Sequence, residues 1–72
     1  MKNDQLITKI LNRINYKDTQ LRDSMFIYDG EKIREYTEII KDKGQWVIGS
    51  IDWLIPLVEL KNRELIKLYR SL

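Results

Sequence analysis

The side chains that most often carry chemistry are scarce in this sequence. It has no cysteine and no histidine. Disulfides, thiolate metal sites, the commonest general base and the commonest metal ligand are therefore all excluded. Neither a Ser-His-Asp nor a Cys-His set exists to activate a nucleophile. Gly44 and Gly49 are followed by neither Gly-Lys-Ser nor Gly-Lys-Thr, so no phosphate-cradling loop is present. Carboxylates could still serve as acids, bases or magnesium ligands. Those roles need convergence in a pocket, and 72 residues leave little room for one. The expectation is a non-enzymatic protein with no cofactor, no metal and no small-molecule substrate.

Charge in rows is what the residue types do offer. On a helix at 100° per residue, Glu31, Glu35, Glu38 and Asp42 fall within about 60° of one another, opposite Ile33, Tyr36 and Ile40. Like charges four apart destabilise a helix by about 0.2–0.5 kcal/mol per pair. Such an acidic spine is suited to docking on a basic protein surface. Trp53 and Leu60, seven apart and off the main apolar arc of their segment, resemble a dimer seam or a partner contact. A basic pattern competes with both. Arg63, Lys67 and Arg70 repeat at helical spacing, and Lys9, Arg13 and Lys17 repeat every four residues, so either row can hold phosphates. For each row the plain alternative is an ordinary solvated surface. A helix-turn-helix placed over Gly44 fits poorly. Ile40 stands where a small residue is needed, and the second helix would present Trp46, Val47, Ile48 and Ile51 to the bases.

Three helices are expected to position these rows. The first begins near Asp4, with Asn3 or Asp4 as its cap, and runs over about 4–15 or 4–24. Its apolar stripe is Leu6, Ile7, Ile10, Leu11 and Ile14, and turn formers at 15–19 can break it. The second covers 31–43, with Asp29 capping its start and Gly44 ending it. Asp29-Gly30 after Phe26-Ile27-Tyr28 is also a hairpin signal, but the residues that follow do not alternate with period two. The third covers 51–71, with Ser50 as cap and Pro56 on its polar side. Phe26-Ile27-Tyr28 and Trp46-Val47-Ile48 have strand composition and could pair as a short ribbon.

Composition places the chain among folded proteins, with 43% apolar and 33% charged residues. Residues 46–58 form the longest apolar run, well short of the ~20 residues of a membrane span. The N-terminus lacks the apolar segment of a signal peptide, so the expected location is cytoplasmic, with no membrane partner. Many Ile, Lys and Asn and no Ala point to an AT-rich coding sequence, as in low-GC bacteria and their phages. The sequence thus predicts one mainly α, three-helix domain over 1–72, with a small α+β domain as the alternative. Its expected function is a protein-interaction module of phage or mobile-element type, regulatory or inhibitory. It would dock on a basic protein surface through Glu31, Glu35, Glu38, Asp42, Trp53 and Leu60, with a homodimer also expected. The rival is a nucleic-acid-binding accessory protein using Lys9, Arg13, Lys17, Arg63, Lys67 and Arg70.

Overall fold

Leu6, Ile10, Leu11 and Ile14 recur at helical spacing, and the computed structural model, which describes residues 2–72, forms α1 there (Asn3–Arg13). Asn15 and Tyr16 then adopt positive φ (57° and 53°) and end the helix. Strands β1 (Thr19–Tyr28), β2 (Ile33–Asp42), β3 (Gln45–Gly49) and β4 (Leu54–Pro56) follow, and after a 3-10 turn at Leu57–Glu59 the chain closes with α2 (Asn62–Arg70). The four strands form one antiparallel sheet in the order β1-β2-β3-β4. Both helices lie on one side of it. Leu6, Ile10, Leu11 and Ile14 of the first helical segment meet Leu65 and Leu68 of α2 over Leu21, Met25, Ile27, Tyr36, Ile39 and Ile48.

The expected three-helix domain is therefore corrected to α+β, with two α-helices among the described residues. The second expected helix, 31–43, is the strand β2 between two hairpins. Its content of Ile33, Tyr36, Thr37, Ile39 and Ile40 favours extended chain. The helix-like spacing of its buried residues has a specific origin. Thr19 and Gln20 pair with Ile39 and Glu38, but the next pair is Met25 with Tyr36. Residues 21–24 thus stand opposite Thr37 alone, as an extended bulge. Strict alternation in β2 breaks opposite it. Tyr36 and Ile39, three apart, both enter the core at 1% and 0% exposure.

The third expected helix, 51–71, survives only from Asn62. Pro56 instead ends β4, an edge strand, where a residue without an N–H is tolerated. The Lys61 N–H donates to the Glu64 carboxylate (2.8 Å) at the start of α2. Phe26-Ile27-Tyr28 and Trp46-Val47-Ile48 are strands, but they do not pair with each other, because β2 lies between them. Gly44 does not end a helix. With Lys43 it forms a two-residue turn of positive φ (84° and 49°) between Asp42 and Gln45, the I′ geometry suited to a hairpin.

Ile39→Ala is expected to lower stability by about 2–5 kcal/mol, because it empties a fully buried site on a central strand. Val58→Ala, which a helix over 51–71 would place on the core face, is expected to stay within about 0.5 kcal/mol of wild type, since Val58 is exposed. Urea unfolding of the two variants checks this.

Candidate functional site

The two sides of the sheet differ in chemistry. Since Tyr36 and Ile39 point into the core, pleating sends their neighbours Glu35, Glu38 and Ile40, and then Asp42, to the side away from the helices. Three carboxylates of the expected spine thus share one face, along a strand instead of a helix. At a rise of about 3.3 Å per residue they are spread over about 23 Å of strand. Glu31 lies apart, in the β1–β2 turn.

Large apolar side chains stand on the same outer face. Met25 and Ile27 are buried, so Phe26 and Tyr28 point outward, at 63% and 65% exposure. Their register partners are Glu35 and Ile33, and Ile33 is 64% exposed. Leu54 adds a fourth, half-exposed, beside Gly49, which is itself paired with Glu38. The outer face is therefore a mosaic of Phe26, Tyr28, Ile33 and Leu54 with Glu35, Glu38 and Asp42. Sequence reasoning missed the apolar half. Its signal was present: Met25 to Tyr28 are apolar at four successive positions, so a strand there must show two of them on its second face.

Trp53 and Leu60 do not join that face. Leu60 is buried in the core. Trp53 packs against the core and closes the β1–β2 hairpin from the other side. Its indole N–H donates to the Glu35 carbonyl (3.3 Å), the Arg34 guanidinium stacks 4.2 Å from its ring, and the Lys32 ammonium sits 5.8 Å away. Arg34 is held in turn by an ion pair and hydrogen bond to Asp29. The other Asp29 oxygen accepts the N–H groups of Glu31 (2.9 Å) and Lys32 (3.0 Å), an Asx turn that shapes the hairpin tip. These two N–H groups and Arg34 hold the Asp29 carboxyl well below the usual carboxylate range, the N–H of Lys32 contributing most. Asp29 in return raises the pKa of Arg34.

The helical side is basic. Residues 2–17 and 61–72 carry eight Lys or Arg against two Asp or Glu, a balance of +6. Residues 18–60 carry five against nine, a balance of −4. Lys9 and Arg13 on α1 border a hollow shared with Tyr69 of α2, and the Arg13 guanidinium lies 5.2 Å from the Tyr69 ring. Arg63, Lys67 and Arg70 are exposed along α2. Lys17 falls beyond the end of α1, so its row stops at Arg13. Among the described residues, no three Asp or Glu gather as metal ligands, and no helix is long and apolar enough to cross a membrane.

The low pKa of Asp29 fixes a pH dependence. A depressed folded pKa adds stability above the unfolded value, near ~4, and that stability is lost as pH falls toward the folded value. Asp29→Asn keeps an oxygen for the two N–H groups but forfeits the ion pair. Its melting temperature is expected below wild type at pH 7, with the gap closing on acidification; an unchanged gap down to pH 2 would contradict the assignment. No family model, curated protein or solved structure matches the chain, so its site is read from its own geometry.

Proposed function

We propose that this chain is a non-enzymatic protein-interaction module of regulatory or inhibitory kind, working in the cytoplasm. It docks through the outer face of its sheet on a partner with a basic rim and an apolar centre. The observation that carries this reading is that Phe26, Tyr28, Ile33 and Leu54 are exposed on the same face of the sheet as Glu35, Glu38 and Asp42, with Phe26 paired to Glu35 and Leu54 beside the partner of Glu38. Exposed aromatics surrounded by charge supply burial at the centre of an interface and steering at its edge. The supporting residues differ from those first expected. Glu31, Trp53 and Leu60 leave the set, while Phe26, Tyr28, Ile33 and Leu54 enter it.

The test is affinity capture from nuclease-treated lysate, comparing wild type with a folded Glu35→Lys, Glu38→Lys, Asp42→Lys variant. One stoichiometric protein that the variant loses is expected. Equal capture by both proteins would remove the acidic face from the site.

The +6 balance of the helical side favours a second reading, contact with nucleic-acid phosphates through Lys9, Arg13, Arg63, Lys67 and Arg70. Five such contacts imply a loss of affinity on the order of several hundred-fold between about 50 and about 200 mM salt. Anisotropy of a labelled duplex across that range checks it. Arg13→Ala with Arg63→Ala is expected to reduce the logarithmic salt slope by about 2. No binding at the lowest salt would dispose of this reading.

A further inference from the structure

Strand β1 is the long edge of the sheet, and its last four residues, Met25 to Tyr28, carry none of the usual guards against strand addition. They include no charge, no proline and no bulge. The pairing phase can be read from the hairpin end, where the Asp29 N–H donates to the Lys32 carbonyl (3.0 Å). Alternation from that pair makes Tyr28–Ile33 and Phe26–Glu35 the non-hydrogen-bonded positions. The main-chain N–H and C=O groups of Phe26 and Tyr28 therefore point away from β2, toward the free edge. A groove of about 330 Å³ runs beside this edge, lined by Asp23, Ser24, Met25 and Phe26 on one side and by Lys67, Arg70 and Ser71 on the other.

We propose that this edge pairs with the same edge of a second copy of the chain, joining two sheets across a two-fold axis. With Phe26 opposite Tyr28 of the other copy, all four outward-pointing residues of the two edges exchange main-chain hydrogen bonds. The axis passes at Ile27, and Phe26 and Tyr28 of the two copies form a two-by-two cluster of aromatic rings on the outer face. In this register residues 29–31 of one hairpin enter the groove of the other copy. That tip carries Glu31, which makes no ion pair within its own chain among the described residues. The groove it enters carries Lys67 and Arg70. Asp23, the acid lining the groove, is 3.6 Å from Arg22. The charges are thus complementary twice over, once in each direction. Lys9, Arg13 and Arg63 lie outside the groove and stay open to solvent.

Sedimentation of the full chain over rising concentration tests the proposal without any other ligand. Wild type is expected to pass from one to two chain masses. Phe26→Lys with Tyr28→Lys replaces exposed side chains, so the fold should persist by circular dichroism while association weakens about 100-fold or more. Glu31→Lys is expected to weaken it roughly tenfold, and Glu31→Lys combined with Lys67→Glu and Arg70→Glu to regain it. A chain that stays monomeric at every concentration overturns the proposal. So does a dimer that survives the double lysine variant undiminished, because a different surface then holds it.

Discussion

The fit of four bulged residues against one decides which side chains this small protein keeps and which it shows. Residues 21–24 of β1 stand opposite Thr37. The surplus chain is held outward to the C-terminal helix: the Arg22 N–H donates to the Ser71 carbonyl (3.1 Å) and its guanidinium to the Arg70 carbonyl (3.3 Å). Last-turn carbonyls of a helix lack partners within it, and the bulge provides them. One irregularity therefore resets β2 so that Tyr36 and Ile39 both reach the core, and it ties α2 to the far edge of the sheet. The outward faces of Glu35, Glu38 and Asp42 follow from it.

That same irregularity explains what could be read in the sequence and what could not. The first helix was legible because Leu6, Ile10, Leu11 and Ile14 repeat at 3.6 with nothing to compete. Strand β2 was not, because its buried residues recur at three, which imitates a helix. The Asp29-Gly30 turn signal was the better guide to that region, although the turn formed is a four-residue loop closed by the Asp29 carboxylate. Pro56 was the better guide to the third segment, since it ends an edge strand and delays the helix to Asn62. Of the four carboxylates expected to share a face, Glu35, Glu38 and Asp42 do so, on a strand instead of a helix, while Glu31 stands apart in the turn. Their apolar neighbours were missed, because Phe26, Tyr28 and Ile33 become a patch only once two strands are set in register. Trp53 looked like a contact residue because it stood off a helical arc that does not form. Its partners are Arg34 and the Glu35 carbonyl.

Two surfaces of opposite sign result from building so short a chain as one sheet with helices on one side. The helical side holds most of the excess positive charge, and the sheet half is acidic. The net charge of +2 conceals this division. Such a field would steer oppositely charged molecules to opposite faces. Apolar area distinguishes the two, because the sheet face alone combines its charge with large exposed side chains next to one another.

Placing a photoreactive side chain on each face in turn compares the faces most directly. A benzophenone at Ile33 reports on the outer sheet face, and one at Arg63 reports on the exposed side of α2. After irradiation in cells, a discrete protein adduct is expected from position 33 and none from position 63. Adducts from position 63 alone, or adducts that nuclease removes, would contradict docking through the sheet.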